Sequence, residues 1–299
     1  MQTTALPSTP QPSHLFTVDV EDYFQVVAFE DIVDRGTWDS YPSRVEANTD
    51  RLLDLLARHG TKGTFFTLGW IAEKHPGIVR RIAAAGHEVA SHGYGHRRLT
   101  TLTPDAFRTE IRDSKARLED LSGHSCIGFR APSFSIVPGG EWAFDLLLEE
   151  GYRYDSSLFP IRRPDYGYPL SPETPFLIER AGGSLLELPL ATTRILGLRL
   201  PAAGGGYLRQ FPFALFRRAF RQWGGRGISA MFYIHPWEYD DGQPRLPCGR
   251  LTAFRHYHNL DLVWSRMDRL LDEFSFTSVA ERFADILDGR TARSTGAAR

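Results

Sequence analysis

The residues with the clearest chemical potential are His92 and His96, four apart in the segment Ser91-His92-Gly93-Tyr94-Gly95-His96. Two imidazoles at that spacing share one face of a helix, but Gly93 and Gly95 lie between them, and each glycine costs about 1 kcal/mol relative to alanine in a helix interior. The segment is therefore expected to be a loop, carried by the apolar-rich run His87-Glu88-Val89-Ala90, and loops at strand ends line active sites in parallel α/β folds. Histidines so placed are candidate metal ligands; ordinary polar loop histidines are the competing reading. Upstream, Asp19-Val20-Glu21-Asp22 sets three carboxylates in four residues at the end of the apolar run from Leu15 to Val20. Buried, they need a cation, an arginine or water; a solvated turn is the alternative. One carboxylate with two neutral imidazoles makes a three-ligand set with a position left open, the arrangement of catalytic zinc sites.

Three further polar clusters follow apolar runs. Arg130 closes Ile127–Arg130 and Pro132 stiffens the turn beyond it; an arginine there is expected to pair with a carboxylate and keep it ionised. Asp155 lies in Tyr154-Asp155-Ser156-Ser157, and His235 directly follows Met231-Phe232-Tyr233-Ile234. A lone histidine at a strand end is more often structural, yet with Asp155 as orienting partner His235 could serve as a general acid. Tyr23, Phe24, Phe134, Tyr207 and Trp237 gather near the same ends, where sugar stacking and core packing are both open. Gly204-Gly205-Gly206-Tyr207 reads as a mobile rim loop or as plain loop flexibility.

The elements that must position these residues alternate. Strands are expected at Leu15–Val20, Gly63–Leu68, Glu88–Ser91, Ile127–Arg130, Tyr152–Asp155, Ser184–Leu188 and Ile228–Ile234. Between them a helix opens at Ser43, where Ser43 and Glu46 form a capping-box pattern, and others at Pro76, Thr103-Pro104 and Glu141. Helices also read at Phe211–Trp223 and Leu260–Phe274, with Ser278 and Glu281 capping the last. About seven strand-then-helix units predict a parallel α/β barrel. An open doubly wound sheet is the alternative, but no GxGxxG follows the first strand and no GxxxxGK[ST] occurs. Pro160–Gly206 interrupts the rhythm and reads as an insertion over the mouth.

The chain has 299 residues and a formal net charge of −1, a balance that offers no nucleic-acid footprint and no polybasic membrane patch. A small molecule or an uncharged polymer is the more natural partner. Cys126 and Cys248 match no zinc-ligand spacing and suggest no disulfide framework. Residues 1–14 read as a disordered lead-in without signal-peptide character, 15–288 as a single domain and 289–299 as a frayed tail. No run approaches the roughly 18 apolar residues of a membrane span, so a soluble, cytoplasmic protein is expected.

The five polar strand ends occur in an order that resembles the polysaccharide deacetylases of carbohydrate esterase family 4, the NodB homology group, from Phe16 to about Leu287. Asp19-Val20-Glu21-Asp22-Tyr23-Phe24, His235-Pro236-Trp237-Glu238 and Phe254–Leu260 further resemble a subfamily found beside exosortase and exopolysaccharide loci, whose own C-terminal part takes in about 236–288. The resemblance implies an α/β fold of the distorted (β/α)7 barrel type. It implies Asp19 as general base, Arg130 as its orienting partner, His92 and His96 as ligands, His235 as general acid and Asp155 as the partner that tunes it. Most members carry two adjacent aspartates; here Val20 follows Asp19, so the third ligand passes to Glu21 or Asp22, with Glu21 favoured because strand alternation puts it on the side of Asp19. Ser133 stands where many members have tyrosine, and its backbone N–H remains available to an oxyanion. The implied activity is removal of N-acetyl groups from amino sugars of a bacterial exopolysaccharide or its precursor, with one divalent metal, zinc before nickel or cobalt. The implied partners are an N-acetylated amino-sugar polymer or oligomer, Trp237 among its contacts, and the exopolysaccharide synthesis machinery. A cyclic amide or ureide hydrolase on the same scaffold and a non-catalytic glycan-binding protein are the rivals.

Overall fold

The computed structural model describes residues 2–6, 13–163, 166–195 and 198–289. Seven parallel strands form its centre: β1 (His14–Val20), β2 (Thr64–Thr67), β3 (Glu88–Ser91), β4 (Gly128–Phe129), β5 (Tyr154–Asp155), β6 (Gly183–Glu187) and β7 (Met231–Ile234). They lie side by side in the order β6-β5-β4-β3-β2-β1-β7. Among the described residues β6 and β7 do not pair with each other. The seam between them is spanned instead by the chain after β6: Ala202 N–H donates to Ala191 O at 3.0 Å and Tyr233 N–H, on β7, donates to Ala203 O at 2.8 Å. The result is the expected distorted (β/α)7 barrel.

The central strands read as near-continuous apolar runs because helices cover the sheet from outside, and all seven residues of β1 are buried. Helices cover the outside by the periodicity of their apolar residues, as in Val45–Arg58, where Val45, Leu52, Leu55 and Leu56 face the sheet. Buried rings such as Phe16, Phe65, Phe66, Phe129 and Phe232 fill the core, each contributing about 1.5–3 kcal/mol by leaving water.

Register determines what each strand end offers. Val20, Thr67, Ser91, Phe129, Asp155 and Glu187 are successive partners across β1 to β6, and partners in a ladder share a face. That face is the outer one, since Ser91 Oγ donates to Ser114 Oγ of the helix Pro104–Ser122 at 3.0 Å and Phe129 packs on Phe107 of the same helix. The residues one step on, His92, Arg130 and Ser156, consequently turn inward, as does Asp19 one step before Val20.

Several expectations are corrected. Gln2–Ala5, read as part of a disordered lead-in, pairs antiparallel with the strand Phe176–Arg180, which in turn pairs with β6; residues 7–12, and 290–299 of the expected frayed tail, lie outside the described residues. Ser43 does not cap the first helix: its hydroxyl donates to Asp22 Oδ2 at 2.7 Å, and that oxygen accepts from the Arg44 and Val45 amides at 2.8 and 3.2 Å. The inserted region holds a hairpin of Thr192–Ile195 and Leu198–Pro201, and the helices Gly69–Lys74 and Arg250–Tyr257 were not expected. Thr103 and Ser278 do cap their helices, accepting from the Ala106 and Glu281 amides. Both cysteines are free. Among the described residues no helix is long and apolar enough to cross a membrane.

Candidate metal centre and its acid–base pair

Glu21, His92 and His96 converge at the C-terminal ends of β1 and β3, with one potential ligand atom from each lying within 4.8 Å of the others. Strand β1 ends at Val20, and a three-residue turn, with Glu21 N–H donating to Asp19 O at 3.1 Å, directs Glu21 into the barrel. The turn, rather than continued strand alternation, carries Glu21 to the side of Asp19. His92 Nδ1 donates to Arg130 O at 2.8 Å, leaving Nε2 bare; burial lowers its pKa to about 4 and keeps the ring neutral. His96 adopts the left-handed backbone at φ 49°, a conformation that costs a non-glycine residue roughly 1–2 kcal/mol. Its loop is clamped by Arg35, which donates to Gly95 O and His96 O at 3.0 and 3.1 Å, and by Glu110, which accepts from the Tyr94 and Gly95 amides at 2.9 Å.

Glu21 Oε2 lies 2.7 Å from His96 Nε2 but has no hydrogen-bond partner, a buried carboxylate oxygen left unsatisfied. Burial favours the neutral acid, yet His96 and His235 outweigh it and hold this carboxyl below the usual range. An orphaned anionic oxygen beside two imidazoles is a donor set that fits a divalent cation. Asp22 does not join it. Its oxygens serve the start of the helix Val45–Arg58 and the Tyr23 amide.

Asp19 and Arg130 form a buried pair, with Arg130 Nη1 2.6 Å from Asp19 Oδ1. Thr17 Oγ1 and Ser156 fix the rest of the guanidinium, which lies 4.1 Å from the centre of the Phe66 ring. Across the cavity His235 Nε2 faces Glu21 Oε1 at 3.5 Å and Asp19 Oδ2 at 3.8 Å. Burial disfavours its charged form, but Glu21, Glu238 and Asp19 together raise its pKa to about 9.

The expected pairing of His235 with Asp155 is corrected. Asp155 is the register partner of Phe129 and lies on the outer face, where Ser157 Oγ donates to it at 2.6 Å. The carboxylate at His235 is Glu238, with Oε2 3.0 Å from Nδ1, and Arg209 Nη1 holds Oε1 of that carboxylate at 2.9 Å. Glu238 was legible as an acid three residues after the histidine, on the short turn that Pro236 opens; nothing local points to Arg209. The glycines read as a mobile rim are instead a close approach: Gly205 opens the helix Gly205–Gln210, and a Cβ on it meets Glu238 Oε2 at 2.2 Å.

Ser133 and Phe134 line the cavity of about 700 Å³ with left-handed backbone at φ 56° and 53°. Trp237 also lines it but is 7 % exposed, with its indole N–H on Glu21 Oε1 at 3.2 Å. Tyr23 and Phe24 belong to a second core cluster, and Tyr207 meets Tyr166 through their hydroxyls at 3.0 Å.

Residues 34–137 match the family model described as polysaccharide deacetylase, and residues 156–284 match a domain of unknown function, DUF3473. The chain is 41 % identical over 93 residues to a peptidoglycan-N-acetylglucosamine deacetylase of Bacillus cereus, a stretch covering 31 % of this chain and 32 % of that one. The chain thus spans about a third of the length of the curated relatives it matches. Among solved structures it is similar to a Mycobacterium smegmatis protein provisionally named a polysaccharide deacetylase, with a TM-score of 0.60 at 22 % identity over 95 % of this chain and 96 % of that one. It is similar also to Puue allantoinase, with a TM-score of 0.57 at 16 % identity over 90 % of this chain and 85 % of that one. These two likenesses speak for the fold alone.

Proposed function

We propose, from the match of residues 34–137 to the polysaccharide deacetylase family model, that the chain is a metal-dependent N-deacetylase acting on amino sugars of a glycan. The observation that carries the reading is the convergence of Glu21, His92 and His96 on one point, with Asp19 and His235 facing each other beside it. When bound there, a divalent ion, zinc before nickel or cobalt, supplies Lewis acidity to the acetamide carbonyl and lowers the pKa of a water. Asp19, held by Arg130, accepts the proton of the attacking water. The Ser133 N–H, in its left-handed turn, is the donor assigned to the developing oxyanion. His235 delivers a proton from Nε2 to the leaving nitrogen while Glu238 holds Nδ1, and acetate and a free amine result.

The finer part of the reading takes an exopolysaccharide or its lipid-linked precursor as substrate, in company with synthesis machinery in the cytoplasm. It rests on the resemblance of the Asp19–Phe24 and His235–Glu238 segments. A ureide hydrolase shares the barrel, but the Asp19–Arg130 pair facing His235 suits expulsion of an amine from a linear amide. The test is acetate release from acetylated amino-sugar oligomers by the chelated protein before and after zinc, nickel or cobalt is restored, with allantoin as a parallel substrate. Metal-dependent acetate release is expected, lost in Asp19→Asn and His235→Ala. Allantoin turnover without acetate release, or no turnover of either, overturns the reading.

A further inference from the structure

Trp237 is placed like a sugar-binding aromatic, at the wall of the cavity, yet its surfaces are committed elsewhere. Its ring stacks on His256, with centroids 4.2 Å apart and planes inclined by 12°, and on His235 at 5.2 Å and 21°. Gln243 locks the arrangement: its amide nitrogen donates to Trp237 O at 2.8 Å, and its amide oxygen accepts from His256 Nε2 at 2.8 Å. The Arg209 guanidinium lies 5.5 Å from the indole centre. An indole held in this way has one orientation, and in it the N–H meets Glu21 Oε1 at 3.2 Å.

That bond divides the two oxygens of Glu21. Oε1 is occupied, while Oε2, without a hydrogen bond, is turned toward His96. Outer partners of metal ligands commonly fix which atom a ligand presents and raise affinity. We propose that Trp237 is a positioning residue for the metal centre, whose indole N–H holds the Glu21 carboxylate so that a single oxygen, Oε2, faces the ion. The proposal rests on reading Glu21, His92 and His96 as ligands. It assigns the tryptophan to the ligand and leaves sugar stacking to other residues of the wall.

The experiment titrates the metal-free full chain with cobalt(II), following its visible absorption, and with zinc in competition. Trp237→Phe keeps a stacking ring and removes the N–H; incorporation of 3-benzothienylalanine at 237 keeps the bicyclic shape and replaces the N–H by sulfur. Both are expected to melt near the parent temperature without metal, to bind either ion roughly 10–100-fold more weakly, and to alter the cobalt spectrum because Oε1 is released. A benzothienylalanine variant with parental affinity and spectrum overturns the proposal, because packing and not the N–H then matters; so does a Trp237→Phe variant that binds like the parent. A parent chain that binds neither ion overturns the ligand assignment itself, an outcome distinct from both.

Discussion

Glu238 Oε2 lies 3.0 Å from His235 Nδ1, whereas Glu21 and Asp19 face Nε2 at 3.5 and 3.8 Å, so each ring nitrogen has its own set of carboxylates. A histidine oriented through Nδ1 presents Nε2 to the leaving group, and Glu238→Gln removes the charge behind that orientation. Its kcat for acetate release is expected to fall on the order of 10²-fold with KM little changed. Asp155→Asn is expected to stay within a few-fold of the parent in the same assay. Burial raises the pKa of both Asp155 and its neighbour Glu187, and Asp155 lies on the outer face, away from His235. The opposite ranking of the two variants returns the orienting role to Asp155. Sequence order suggested Asp155 because it follows a strand, but which face it takes depends on register parity, and a one-residue difference decides between the barrel interior and the helix layer.

At the scale of elements, the end of β1 and the turn after it distribute three carboxylates among three tasks. Asp19 meets Arg130, Glu21 meets the histidines, and Asp22 caps the helix Val45–Arg58 from outside the helix's own sequence. A buried carboxylate accepting amides at a helix N-terminus is worth about 0.5–2 kcal/mol. Asp22→Ala is therefore expected to lower the urea midpoint by a corresponding amount while leaving zinc affinity unchanged, whereas Glu21→Ala abolishes zinc binding with the helix intact. Loss of zinc binding in Asp22→Ala at parental stability refutes this division. The Ser43–Glu46 pattern announced the helix correctly because apolar periodicity and a polar start coincide there. It misassigned the capping atom because a stronger acceptor, Asp22, arrives from the turn after β1, which local sequence does not contain.

For the molecule as a whole, two histidines remote from the cavity link folding to pH. His14 Nδ1 accepts the Ala230 amide at 3.0 Å and His87 Nδ1 accepts the Gly63 amide at 3.1 Å, so both rings must be unprotonated at that nitrogen. Burial lowers each pKa from 6.5 to about 4. Between those values the unfolded chain binds protons that the native state does not, so their stabilising effect is complete above about pH 6.5 and declines as pH falls toward 4. Near pH 5 each is expected to cost about 2 kcal/mol, a large part of a typical folding stability of roughly 5–15 kcal/mol. Urea unfolding at pH 7 and pH 5 measures it. The expected result is a lower midpoint at pH 5 and a smaller drop in His14→Gln; equal midpoints at the two pH values refute the linkage.

By itself the sequence determined the seven alternating units, the polar residues at their strand ends and the histidine pair, because apolar periodicity, glycine placement and residue chemistry are local properties. Only the tertiary structure decided which of three adjacent carboxylates faces His92 and His96, which acid orients His235, and that Trp237 points its N–H at Glu21. Each of those outcomes depends on strand register, on a turn that redirects one residue, or on a partner such as Arg209 brought in from a distant helix. Spacing along a chain carries no record of parity across a sheet, and in a barrel that parity separates the cavity from the outer layer.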